Sequence, residues 1–152
     1  MIGEDVTENV KTIKNIPKKL RLPLDIHVRG EILMPKSVWK DINKEREEEG
    51  EIPFANTRNA AAGSIKLLDP REVAKRGLTC YVYDILNDIK LPKGTKLSDL
   101  LPVFPREKTD LHIAEIIKLC EDSETKKMLE SKDIEFDGLV IKTESLGQRE
   151  II

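Results

Sequence analysis

Two cations, Arg58 and Lys66, bracket the run Asn59-Ala60-Ala61-Ala62-Gly63-Ser64-Ile65. The alanines favour a helix, and residues almost without side chains let its backbone come close to another surface. A spacing of eight is a little over two helical turns, so both cations can project in nearby directions. Cations beside exposed backbone N–H groups can hold phosphate, arginine through its planar fork and lysine as a point charge. Taken alone, the run also fits a tightly packed Ala-rich helix with solvated charges.

Two further segments carry groups suited to the same chemistry. In Asp25–Met34 the residues alternate. Ile26, Val28 and Ile32 share one face, and Asp25, His27, Arg29 and Glu31 share the other. That pattern predicts a half-buried strand with a charged outer face. The segment Phe136-Asp137-Gly138-Leu139-Val140-Ile141-Lys142 predicts a second strand, entered through an Asp-Gly step and closed by a lysine. Asp137 in such a step can simply open a tight turn, and Glu31 can simply pair across the sheet with a lysine or with Arg29.

In the order Arg29-Gly30-Glu31, then Asn56-Thr57-Arg58-Asn59-Ala60-Ala61-Ala62-Gly63-Ser64, then Asp137-Gly138-Leu139-Val140-Ile141-Lys142, the chain resembles the nucleotidyltransferase (adenylation) domain of NAD-dependent DNA ligases. Gly3-Glu4-Asp5-Val6-Thr7 and Leu68-Asp69-Pro70-Arg71 are similar to that family as well. The likeness spans nearly the whole chain and is weakest from about residue 88 to 132.

The resemblance implies phosphoryl transfer in three steps. A lysine displaces nicotinamide mononucleotide from NAD, AMP passes to the 5′-phosphate of a nick, and the 3′-hydroxyl then displaces AMP. It implies NAD and magnesium (or manganese) as cofactors, and nicked duplex DNA as partner. By the same resemblance Glu31 contacts the adenylate ribose or supports the metal-assisted centre. Lys142 contacts the adenylate, with Val140 on its strand face, and Asp137 supports cations. Arg58 meets phosphate and DNA, and Lys66 stands where the family more often has arginine, keeping the charge without the fork. The family's arginine eight residues before the Asp of Asp-Gly is replaced here by Leu129, with Lys126, Lys127 and Lys132 nearby. The attacking lysine belongs to a Lys-x-Asp-Gly motif, which does not occur here; Asp137-Gly138 is preceded by Glu135-Phe136. Residues 1–152 are therefore expected to form a partial adenylation domain, lacking the upstream Lys-x-Asp-Gly segment and the final strand. Its partners would be the remaining ligase segments or a complementary subunit. The alternative is a noncatalytic nucleotide- or DNA-binding module of the same fold.

The elements that must position these groups are legible in outline. Val6, Val10 and Ile13 predict a helix over 4–13, ended before Pro17. Ser37 is expected to cap a helix running to about Glu49, stopped by Gly50, and Asp69-Pro70 to open another, stopped by Gly77. Leu78–Ile85 reads as a central strand. Pro92, Gly94, Pro102 and Pro105 mark irregular chain, with a short helical turn at 97–101. Leu111–Leu129 is amphipathic and breaks near Asp122-Ser123, with Ser123 as the expected cap. The sum is one α+β domain with a mixed or largely antiparallel sheet and flanking helices.

Composition narrows the classes further. The 152 residues are 39% hydrophobic and 36% charged with a formal net charge of −2, so no global basic field draws the chain to DNA and any such contact must be local. Cys80 and Cys120 have no metal-ligand spacing and predict free thiols in a reducing compartment. No apolar run reaches the length of a membrane span and no signal peptide is evident, which predicts a cytoplasmic protein.

Overall fold

The computed structural model describes residues 3–87, 92–93, 96–103, 112–136 and 140. It divides into two compact units, 1–109 and 110–152.

In the first unit the order is α1 (Thr7–Val10), β1 (Val28–Leu33), α2 (Lys36–Glu48), α3 (Thr57–Ile65), α4 (Pro70–Lys75), β2 (Thr79–Ile85) and a 3-10 turn at Leu97–Asp99. The strands β1 and β2 pair antiparallel, with Glu31 opposite Tyr81 and Ile32 opposite Cys80. Between Arg29 and Gly30 the register advances by one residue on β1 and two on β2, so Tyr83 is the extra residue of a β-bulge. The outer edge of β2 is covered in two ways. The Asn15 amide pairs with Cys80, accepting from its N–H at 3.0 Å and donating to its carbonyl at 2.6 Å. Further along, the Val82 N–H donates to the Pro102 carbonyl at 2.7 Å, beside a parallel bridge between Val82 and Val103.

The core joins Met34, Ile42, Val73 and Leu78 to Ala60 and Ala61 of α3, with Ile13 closing it. The buried residues of α3 are Thr57, Ala60, Ala61 and Ser64, a stripe at helical spacing. Since α3 packs on β1 and α2, the surface that two of the alanines approach is the protein's own sheet and helix. The tight-packing reading is correct for that inner face.

Several boundaries differ from expectation. The first helix spans only 7–10, continued by 3-10-type turns in which Thr12 and Ile13 donate to Asn9 and Val10. β1 begins at Val28; before it the Leu86 N–H still donates to the His27 carbonyl, but the His27 N–H and the Asp25 carbonyl turn to the side chain of Asn87. α2 starts at Lys36 with Pro35 as the N-cap residue, whose carbonyl receives the Trp39 N–H; Ser37 lies inside the helix and not at its cap. Asp69 and Pro70 open α4 as expected, and Gly50 and Gly77 take φ of 76° and 59°, conformations that favour glycine.

In the second unit, α5 (Ile113–Glu121) and α6 (Ser123–Ser131) meet at Asp122. The cap of α6 is Asp122, whose carboxylate accepts from the Thr125 N–H at 2.9 Å; Ser123 lies inside the helix. Phe136 and Val140, the two described residues of the expected 136–142 strand, belong to no strand, and Val140 is exposed. Leu111, Gly94 and Pro105 lie outside the described residues.

Candidate nucleotide and nucleic-acid interface

Glu31 shares a face with Arg29 because the extra residue of the bulge lies on β2, so β1 itself runs through this point without an inserted residue. Ile32 and Met34 turn to the core side, and Arg29 and Glu31 are exposed. Their ladder partners on the same face are Asp84 and Tyr81. Among the described residues Glu31 forms no salt bridge, so neither Arg29 on its own strand nor a lysine across the sheet holds it. The result is an open sheet face carrying a carboxylate beside a guanidinium and a phenol. Such a carboxylate can accept hydrogen bonds from vicinal hydroxyls.

Arg58 and Lys66 are placed by α3. Asn56 caps the helix, its side chain accepting from the Asn59 N–H at 2.7 Å while its carbonyl accepts from the Ala60 N–H. Arg58 is therefore in the first turn, at the positive end of the helix dipole. Lys66 is the C-cap residue, about 12 Å further along the axis at 1.5 Å per residue. Between them on the solvent side lie Asn59, Ala62 and Gly63, all exposed. This outer face is a cation at each end with almost no side-chain bulk between. The cations differ in state. Arg58 has no ion-pair partner among the described residues, whereas the Lys66 ammonium meets the Glu4 carboxylate at 2.9 Å.

The ends of α3 are held by side-chain amides that hydrophobic periodicity does not reveal. At its C-terminus Asn9, buried, donates through Nδ2 to the carbonyls of Ile65 (2.8 Å) and Leu67 (2.7 Å). At its entrance Asn43 of α2 brackets Phe54, accepting from its N–H at 2.8 Å and donating to its carbonyl at 2.9 Å. Trp39 Nε1 donates to the same carbonyl at 3.1 Å. Nothing in the residue pattern marks these roles, since a single amide bonding to a remote backbone leaves no periodic trace.

Asp137 and Lys142 lie outside the described residues, so the structure brings together Glu31, Arg58 and Lys66 of the expected set only as members of one unit. Lys126, Lys127 and Lys132 belong to the second unit, in and just after α6. Among the described residues, no three His, Cys, Asp or Glu side chains stand together to hold a metal ion. Nor is any helix long and apolar enough to cross a membrane. A cleft of about 230 Å³ between the α1 turn and α4, lined by Lys14, Val73 and Gly77, contains none of the expected site residues.

With this geometry in place, comparison with known proteins is direct. The sequence profile of the NAD-dependent DNA ligase adenylation domain matches residues 1–152. The chain is similar to the DNA ligase of Bacillus pumilus (strain SAFR-032), at 44% identity over 97% of this chain, and to that of Bacillus subtilis (strain 168), at 43% over 97%. It is 40% identical over 99% of its length to the DNA ligase of Syntrophomonas wolfei subsp. wolfei. The fold is of the α+β class, and the family whose profile matches has a nucleotidyltransferase fold. The chain is a member of the NAD-dependent DNA ligase adenylation domain family, and it spans about a quarter of the length of these relatives, 23–24%.

Proposed function

We propose that this chain supplies part of the surface on which an NAD-dependent DNA ligase holds the adenylate and the nicked duplex, working with the remaining segments of that enzyme. The enzyme would seal nicks through ligase-adenylate and DNA-adenylate intermediates. The observation that carries the DNA half is the outer face of α3, with exposed Arg58 and Lys66 at its ends and Ala62 and Gly63 between. A phosphodiester backbone can approach that face closely, and both cations then act through phosphate with little sequence preference. The nucleotide half rests on Glu31, whose carboxylate would accept from the adenylate ribose, and by family membership on Asp137 and Lys142. Magnesium or manganese would neutralise charge on the reacting phosphates. Arg58 and Lys66 do the same for the nick's backbone, and their contribution needs no proton transfer.

NMR titration tests both halves. NAD is expected to shift resonances at 29–31 and 138–142, at roughly millimolar affinity for an incomplete pocket. A nicked duplex at low ionic strength is expected to shift 58–66. Nucleotide shifts confined to Glu45–Glu49, or duplex shifts that avoid α3, would remove the corresponding half. With labelled NAD and magnesium the 152 residues should take up no covalent adenylate, since they contain no Lys-x-Asp-Gly. A labelled band that disappears on Lys142→Ala would reassign Lys142 as nucleophile.

A further inference from the structure

We infer that Asn43 is a positioning residue for the phosphate contact of Arg58, acting through Phe54; this rests on the phosphate reading of α3 given above. One stripe of α2, Trp39, Asn43 and Arg46, faces the segment that enters α3, at spacings of four and three that place all of them on one side of a helix. Asn43 takes both the N–H and the carbonyl of Phe54 (2.8 and 2.9 Å), and Trp39 adds a second donor to that carbonyl. Arg46 secures the preceding turn: its guanidinium lies 4.5 Å from the Phe54 ring centroid, Nε donates to the Ile52 carbonyl at 2.9 Å, and the Glu51 carboxylate pairs with it at 2.6 Å.

Phe54 passes this restraint to α3 by two routes. Along the chain, only Ala55 separates it from the cap residue Asn56, whose side chain fixes the first turn and so the start of Arg58. Through space, its ring edge stands 3.5 Å from where a Cβ at Gly63 would be, against the far half of the same helix. The peptide at Phe54 has its hydrogen bonds satisfied by side chains of α2, and that is unusual: most backbone groups pair with other backbone. Loss of Asn43 leaves the N–H of Phe54 without its acceptor and removes one of two donors to the carbonyl. The segment then gains freedom immediately upstream of Arg58, and a cation that must meet a phosphate loses its set direction.

The test is a double-substitution cycle on this chain, reading nicked-duplex affinity by fluorescence anisotropy across a salt series. Asn43→Leu is expected to weaken binding by about three- to tenfold, the scale of one or two hydrogen bonds. It should also lower the salt slope by about 0.9, one phosphate contact. If Asn43 acts through Arg58, Arg58→Ala with Asn43→Leu binds no more weakly than Arg58→Ala alone; losses that add would overturn the inference, as would an unchanged slope in Asn43→Leu. A purely structural asparagine would lower affinity through the folded fraction and leave the slope as it was. If circular dichroism shows Asn43→Leu unfolded, Trp39→Phe, which removes a single donor to Phe54, is read in the same cycle by the same criteria. An inert Arg58→Ala, or no binding by the unsubstituted chain, overturns the phosphate reading and this inference with it. An effective Arg58→Ala beside an uncoupled Asn43 overturns the inference alone.

Discussion

The carbonyl oxygen of Tyr81 occupies the space that a side chain at Gly30 would need: a Cβ there would stand 2.7 Å from that oxygen, with the Tyr81 carbonyl carbon and Val82 Cα at 3.3 Å. The glycine of Arg29-Gly30-Glu31 is thus explained by sheet geometry. It sits at the bulge, where β2 carries one residue more than β1, and the backbones come together as no other residue allows. The neighbouring charges keep their exposed face because the strand can pass this point without kinking away.

Gly30→Ala is therefore expected to destabilise the first unit by about 1–3 kcal/mol, the range for overpacking against atoms that cannot move aside. Gly63→Ala is the matched control. A Cβ at 63 would make an ordinary 3.5 Å contact with Phe54, and alanine should raise stability by roughly 0.5–1 kcal/mol through helix propensity. Urea melts of the two variants should move in opposite directions. A neutral Gly30→Ala would mean that the two strands separate more easily than the bulge geometry implies.

Asn9 gives a prediction about sign. Both hydrogens of its amide go to carbonyls at the end of α3, so Asn9→Ala should cost about 1–3 kcal/mol by stranding them. Asn9→Asp is nearly isosteric but has no donor when ionised, and it sets a negative charge against two carbonyl oxygens at the negative end of the dipole. Aspartate should be worse than alanine at pH 7. The reverse order, in thermal melts, would show that shape matters more at this site than the donated bonds.

The Asp69 carboxyl is held below the usual carboxylate range, first by the Arg71 side chain and then by the Arg71 N–H. A depressed folded value means that the contribution is complete above the unfolded value of about 4 and is lost as pH falls through the lower folded value. Between pH 7 and 5 the start of α4 should hardly respond, and acidification below 4 should weaken it. Asp69→Asn should flatten the stability profile in that acid window and nowhere else. An equal acid response in both proteins would assign the effect to other carboxylates, such as Asp5, held down by the hydroxyl and N–H of Thr7.

The two thiols should differ in reactivity. Burial pushes the Cys80 thiol up, and its side chain is partly enclosed on the core side of β2, while Cys120 is exposed on α5. A maleimide at pH 7 should label Cys120 first, with Cys80 following only as denaturant opens the sheet. Equal initial rates would mean that β2 opens freely.

Residue pattern carried some of this structure and not the rest, for physical reasons. Alternation through Asp25–Met34 revealed which face Glu31 shares with Arg29, because side chains in a strand change sides at every residue whatever the partner does. Glycine after α2 and α4 was legible because a positive φ demands it at both. Composition alone does not divide the Ala-rich run, but helical geometry does: Ala60 and Ala61 fill the core while Ala62 and Gly63 face out. Asn9, Asn15 and Asn43, which fasten elements distant in sequence, were not legible, because one amide bonding to a remote backbone leaves no periodic trace. Ser37 and Ser123 looked like caps by type. Pro35 and Asp122 took those places through a fixed φ and a carboxylate that reaches the third N–H.

The ion pair between Lys66 and Glu4 carries the last prediction. If the outer face of α3 receives a phosphate backbone, the Glu4 carboxylate already occupies the Lys66 ammonium at 2.9 Å and must be displaced. Both side chains are largely exposed, and such pairs contribute only about 0–1 kcal/mol. Displacement is therefore easy but not free. Glu4→Gln should raise nicked-duplex affinity by up to about fivefold at low salt, the equivalent of that upper bound. Removing any negative charge would help a little, so Glu47→Gln on the exposed side of α2 serves as the charge control and should give a smaller gain. In a Lys66→Ala background the specific advantage of Glu4→Gln should disappear. Lys66→Ala alone should lower the salt slope by about 0.9. Lys66→Arg should bind as well or better, since the guanidinium can bridge carboxylate and phosphate at once. If Glu4→Gln gains no more than Glu47→Gln, Lys66 is not part of the phosphate contact, and Arg58 carries the phosphate reading alone.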